Sequence, residues 1–286
     1  MKAIKLSDGR RLAYEVYGPS DGFVVFHHHG GPGSRLASMA PSALRAAGVR
    51  LVVPDRPGFG QSDPLKAPRP ISGWSTDLGE LADAFSVGRM TVTGFSAGGP
   101  FALGAAARLG DRMAAVAVLA GAGELADPEV ASTLPAPFDT AVALARDDPG
   151  GLRRYLMGQQ QPEATLEMII GRATGADRAL YDDPEYLAEF RAAVKEAFAQ
   201  GPTAYADEFV YLMLPWDFDV ASITAPVAFW YGDQDPNPLH QPYMGERLVA
   251  RMPRASLSVV AGAGAELGRH DATADILRAL VALATA

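Results

Sequence analysis

The chain has 286 residues, 48% of them aliphatic or aromatic, and 25 Lys and Arg against 33 Asp and Glu give a net charge of −8. That balance, with no basic stripe, argues against nucleic acid or an anionic membrane surface as partner. The absence of cysteine excludes disulfides, thiolate nucleophiles and cysteine-ligated metal or iron–sulfur centres. No apolar run reaches the roughly 18 residues of a membrane helix, and no secretory apolar segment is seen. A cytoplasmic protein acting on a small molecule, as a monomer or homodimer, is expected.

In chain order, residues 3–6 and 11–17 read as two short strands around Asp8-Gly9, a hairpin signal that implies an antiparallel edge. Unalternated apolar runs follow at 23–26, 51–53, 90–93 and 116–120, with helical patterns at 42–47, 75–85 and 102–108 between them. Such runs, alternating with helices, predict a mostly parallel sheet covered on both faces. From 124 to 216 the buried strands stop while helical signals persist. The turn pairs Asp127-Pro128, Asp148-Pro149, Asp183-Pro184 and Gly201-Pro202 divide this stretch into four or five helices, read as an inserted helical cap. Strands resume at 226–231 and 257–260, and a helix at 272–284 closes the pattern. The organisation expected is a core of residues 1–123 and 217–286 around a cap of residues 124–216.

The chemistry centres on Gly94-Phe95-Ser96-Ala97-Gly98, where a strand turns into a helix. A serine on so sharp a turn sits in a strained backbone conformation and needs neighbours without side chains, which Gly94 and Gly98 supply. In a doubly wound sheet the active groups gather at the carboxyl ends of strands. Four further strand ends are therefore informative: His29-Gly30-Gly31-Pro32-Gly33, Asp55-Arg56-Pro57-Gly58-Phe59-Gly60-Gln61-Ser62, Gly232-Asp233-Gln234-Asp235 and Gly262-Ala263-Gly264-Ala265-Glu266-Leu267.

With His29-Gly30-Gly31-Pro32-Gly33, the Asp55 to Ser62 motif, Gly94-Phe95-Ser96-Ala97-Gly98 and Gly232-Asp233-Gln234-Asp235 in this order, the chain resembles the α/β-hydrolase superfamily from end to end. The resemblance implies an α/β-hydrolase fold with Ser96 as nucleophile, the N–H groups of Gly31 and Ala97 as oxyanion hole, Asp235 as triad acid, and no cofactor. The Asp55 motif is expected to be a structural turn. The departure is the base, since members of the superfamily carry Gly-His after the last strand and this chain has Gly264-Ala265. Triad order leaves His240 and His270 after Asp235. His240 is set aside because five residues look too few for it to reach the serine, and His270, at the start of the last helix, is the fallback base. Ala265 is then either a natural loss or an inactivating substitution.

The run His27-His28-His29 is not expected to bind metal, because neighbouring strand residues alternate faces. His29, Phe95, Phe209, Met213 and Trp216 are the candidate substrate contacts. The reading is a serine hydrolase of esters or related acyl bonds in a small, largely apolar molecule. A non-hydrolytic cyclase, lyase or isomerase of secondary metabolism, or a ligand-binding protein, is the alternative, and its support is Ala265. A proline iminopeptidase shares His29-Gly30-Gly31-Pro32-Gly33 but carries an Arg-Gly pair and a tryptophan that are absent here. Dehalogenases and epoxide hydrolases are excluded because they need aspartate at position 96.

Overall fold

The computed structural model describes residues 2–159 and 161–286. Its strands are β1 (Lys2–Lys5), β2 (Arg11–Tyr17), β3 (Phe23–His28), β4 (Val49–Pro54), β5 (Met90–Phe95), β6 (Met113–Leu119), β7 (Val227–Gly232) and β8 (Ala255–Val260). They form one sheet in the order β1-β2-β4-β3-β5-β6-β7-β8. The first two join antiparallel, and every pairing from β4 onward is parallel.

Around the sheet lie α1 (Pro41–Ala47), α2 (Trp74–Ala84), α3 (Gly98–Leu109), and then α4 (Pro128–Ala131), α5 (Phe138–Asp147), α6 (Pro149–Gln159), α7 (Pro162–Arg172), α8 (Gly175–Asp182), α9 (Pro184–Ala197) and α10 (Thr203–Met213). After β7 come α11 (Pro242–Val249) and α12 (Thr273–Thr285).

Strand side chains alternate between faces, and the two faces have separate cores. Phe26, Val52, Val92, Val116 and Val118 pack with Leu78 and Leu81 of α2 and with Phe101 and Leu103 of α3. Val25, Leu51, Val53, Ala115, Ala117 and Leu119 pack instead with Leu44 of α1 and with Ile276, Leu277 and Leu280 of α12. Each fully buried Val, Leu, Ile or Phe among these contributes about 1.5–3 kcal/mol. This double cover explains why the inner strands read as continuous apolar runs.

Seven helices, not four or five, lie between β6 and β7 among the described residues. The expected punctuation is present: Asp127 caps α4 and Asp183 caps α9 through their side chains. The additional starts are at Phe138, Pro162 and Gly175, where Pro137, Gln161 and Thr174 make no side-chain cap bond. Two apolar clusters serve this insertion. One joins Leu125, Leu152, Leu156, Val210 and Met213, and the other joins Leu166, Val194, Phe198 and Tyr205 to Phe59 of the core.

Candidate active site

Ser96 lies between β5 and α3 with φ at 50°, in the left-handed region that costs a non-glycine residue backbone energy. The turn is held by Ser96 N–H donating to Leu119 O at 3.0 Å and by Gly99 N–H donating to Ser96 O at 2.9 Å. Glycine is obligatory on both sides. A Cβ at Gly94 would lie 2.5 Å from Gly98 O, and one at Gly98 would overlap the carbonyl of His28.

The Ser96 hydroxyl is 2.7 Å from Nε2 of His240, and Nδ1 of His240 is 2.9 Å from the Asp235 carboxylate. Only the ring can donate to a carboxylate, so Nδ1 carries the proton and Nε2 is the bare nitrogen that accepts the serine hydroxyl. Asp235 and His240 are both buried, at 8% and 5% exposure. His240 therefore bridges Ser96 and Asp235, which corrects the expectation that five residues are too few.

Local turn chemistry is the reason. Asp235 accepts from Asn237 N–H at 2.8 Å, and Asn237 Oδ1 caps the single 3-10 turn Pro238–His240 by accepting from Leu239 N–H at 3.0 Å. His240 N–H closes the turn onto Asn237 O at 3.0 Å. Gln241 Nε2 then donates back to the carbonyls of Asp235 and Asn237 at 3.0 and 2.8 Å. The chain reverses within five residues and lays the imidazole back on the carboxylate. The Asp-Pro-Asn-Pro sequence was the signal for this turn.

The loop after β8 has a different occupant. Asp177 of α8 accepts from the N–H groups of Ala265 at 2.6 Å and Glu266 at 3.1 Å. A Cβ at Gly264 would overlap the Asp177 carboxylate. Glu266 accepts from the Tyr181 hydroxyl at 2.9 Å. Burial raises the carboxyls of Asp177 and Glu266 above the ordinary range, and the negative charge of Asp235 adds to the effect on Asp177. His270, the fallback base, spends its Nδ1 on the Ala272 N–H at 3.1 Å, at the start of α12. Neither Ala265 nor His270 supplies an imidazole to Ser96.

Gly31 and Ala97 are adjacent, since a Cβ on Gly31 would sit 3.2 Å from the Ala97 Cβ. Ala97 is the N-cap of α3, where a helix presents uncommitted N–H groups and the positive end of its dipole. The arrangement can thus offer two backbone donors beside a serine whose proton has a destination.

These groups open into a cavity of about 1030 Å³ lined by Ser96, His240, Phe95, Phe209 and Met213 together with helices of the insertion. Two expected contacts are not in it. His29 is fully buried, its Nδ1 donates to Gly30 O at 2.8 Å and its ring meets the edge of Phe59. Trp216 is buried in the core and stacks on Phe218 with ring centroids 5.1 Å apart. In both cases a large residue at a strand end or insertion boundary was used for packing. The neighbouring His27 and His28 turn to the Thr93 hydroxyl and carbonyl, at 2.8 and 3.1 Å. Asp55 closes its own turn by accepting from Gln61 N–H at 2.9 Å and from the Arg35 backbone N–H and guanidinium at 2.5 and 2.7 Å.

The sheet order, the helices on both faces and the serine turn define an α/β-hydrolase. The model of the alpha/beta hydrolase fold family matches residues 24–267, and the chain belongs to that family. It is 30% identical over 100 residues to a non-heme chloroperoxidase of Streptomyces lividans, a match over 35% of this chain and 36% of that protein's length. A hydrolase from Pseudomonas aeruginosa PA01 superposes with a TM-score of 0.72 at 20% identity, covering 98% of this chain and 97% of the other. An esterase from Exiguobacterium antarcticum superposes with a TM-score of 0.71 at 18% identity over 99% of each chain. Among the described residues no helix is long and apolar enough to cross a membrane.

Proposed function

We propose that this protein is a serine hydrolase that cleaves an ester or related acyl bond through Ser96, His240 and Asp235. The observation that carries the reading is the unbroken hydrogen-bond chain from the Ser96 hydroxyl through His240 to Asp235, at 2.7 and 2.9 Å. Ser96 Oγ attacks the acyl carbon as His240 Nε2 takes its proton, and Asp235 holds the imidazole in the required tautomer and stabilises the imidazolium. The Gly31 and Ala97 N–H groups receive the oxyanion. His240 then returns the proton to the leaving group and activates water for deacylation. With the base accounted for, Ala265 lends no support to a repurposed or inactivated site.

The cavity supports a substrate with an extended apolar part beneath the insertion, which serves as the cap. Its volume of about 1030 Å³ stands at the top of the roughly 300–1,000 Å³ range that encloses drug-sized ligands. Leu144, Tyr155 and Met168 line it while remaining 36%, 61% and 44% exposed, an apolar rim that water alone does not favour. A fluorophosphonate probe should label Ser96 stoichiometrically, and p-nitrophenyl esters should be turned over with kcat/KM rising from acetyl to octanoyl. No labelling of Ser96, or labelling that survives Ser96→Ala, sinks the reading.

A further inference from the structure

One buried cation touches the loop that carries Gly31. Arg56, 1% exposed, donates through Nη1 to His29 O at 2.7 Å and through Nη2 to Gly30 O at 3.4 Å. Its Nε and Nη2 make a two-pronged pair with Glu208 at 2.5 and 2.8 Å, and its guanidinium lies over the Phe101 ring at 4.7 Å. His29 Nδ1 gives Gly30 O a second donor at 2.8 Å. Glu208 belongs to α10, so this pair ties the insertion to the loop after β3.

The geometry of one peptide unit gives the pair its consequence. The Gly30–Gly31 peptide is trans and planar, so its C=O and its N–H point in opposite directions. Donors that fix the Gly30 carbonyl on the Arg56 side therefore aim the Gly31 N–H at the other side. Both glycines adjoin the serine turn: a Cβ on Gly30 would lie 3.4 Å from Ser96 Cβ, and one on Gly31 would lie 3.2 Å from Ala97 Cβ. Glycines at 30 and 31 leave this peptide free to rotate, and a donor aimed before the reaction needs an external hold.

We infer that Arg56 and Glu208 are positioning residues for the oxyanion hole, so that α10 of the insertion holds the Gly31 N–H in place across the domain. This rests on the serine hydrolase reading. Neither residue touches the reacting atoms; each acts through the Gly30 carbonyl. Arg56 is suited to the task because its planar fork binds the Glu208 carboxylate and two carbonyls at once, which a lysine ammonium cannot do.

The test separates oxyanion binding from substrate binding. A trifluoromethyl ketone, which adds the serine to form a tetrahedral oxyanion, reads the hole; KM for the matching ester reads the cavity. Glu208→Gln keeps shape and one acceptor, and is expected to lower kcat about tenfold and to raise Ki for the ketone by the same factor, with KM within about twofold. Arg56→Lys should move kcat and Ki together by about a hundredfold. A rise in KM with kcat and Ki unchanged would show that Glu208 only lines the cavity and would overturn the inference, as would no change in any of the three. Fluorophosphonate labelling of the unaltered protein tests the hydrolase reading separately. Should that labelling fail or Arg56→Lys not fold, amide exchange decides: faster exchange confined to residues 29–33 in Glu208→Gln supports the hold, and unchanged exchange there overturns it.

Discussion

The loops after β7 and β8 reach the same end of the sheet with opposite assignments. The first carries the proposed acid and base, Asp235 and His240, in a turn closed by its own hydrogen bonds. The second carries neither, and its backbone N–H groups at Ala265 and Glu266 are held by Asp177 from the insertion. A proton-accepting pair needs only two side chains at fixed separation, and a capped 3-10 turn supplies that as well as two loops from different strands. With the proposed base in the first loop, the second serves as a docking point for the insertion.

The largest expected effect breaks this comparison if it fails. His240→Ala should lower kcat on p-nitrophenyl esters by about 10⁴-fold or more, the usual consequence of removing a triad base. Ala265→His should leave kcat within about threefold of the parent, against the hundredfold or more gained by supplying a missing general base. The reverse pattern, activity that survives His240→Ala and rises in Ala265→His, would return the base to the loop after β8.

Much of this site was legible in the sequence, and the part that was not has a physical reason. Gly94, Gly98 and Ser96 were legible because a strained turn tolerates few residue types, and steric exclusion writes itself into sequence. Asp235 was legible from the Gly232-Asp233-Gln234-Asp235 motif after β7, to which the resemblance assigns the acid. His240 was missed because reach was judged from an extended loop, whereas Asn237 and two prolines fold the segment onto itself. The burial of His29 and Trp216 depends on tertiary packing, which local pattern does not encode. The extra insertion helices begin without side-chain caps at Pro137, Gln161 and Thr174, so the capping signal was absent there.

A second effect concerns the three buried histidines at the end of β3, His27, His28 and His29. Burial, reinforced by the Arg56 charge, lowers His27 and His28 to about 3 and holds His29 well below its ordinary value. Each stays neutral in the folded protein but gains a proton in the unfolded chain below its ordinary value of 6.5. Stability from these groups is complete above that value and is lost as pH falls below it, toward about 3 for His27 and His28. Each contributes a slope of about 1.4 kcal/mol per pH unit in the window. Urea midpoints taken at pH 7, 6, 5 and 4 should fall steadily, and a His28→Gln protein should show a shallower fall. Parallel lines for the two proteins would remove His28 from the account.

The smallest effect sharpens the comparison by loading only the second loop. Asp177→Ala strips the acceptor from two backbone N–H groups, and leaving them unsatisfied should cost about 1–3 kcal/mol in urea unfolding. The sign of its pH dependence follows from the raised Asp177 carboxyl. A group whose folded pKa is raised favours folding while protonated and loses that contribution as pH rises through the folded value. The penalty of Asp177→Ala should therefore be largest near pH 4 and narrow toward pH 7, where burial and the Asp235 charge already work against the native carboxylate. If acid and base sit together in the first loop, as proposed, kcat should stay within about threefold of the parent, far from the loss expected of a triad residue. A hundredfold fall in kcat with the urea midpoint unmoved would show that the second loop shares in the chemistry, and the division between the two loops would not stand.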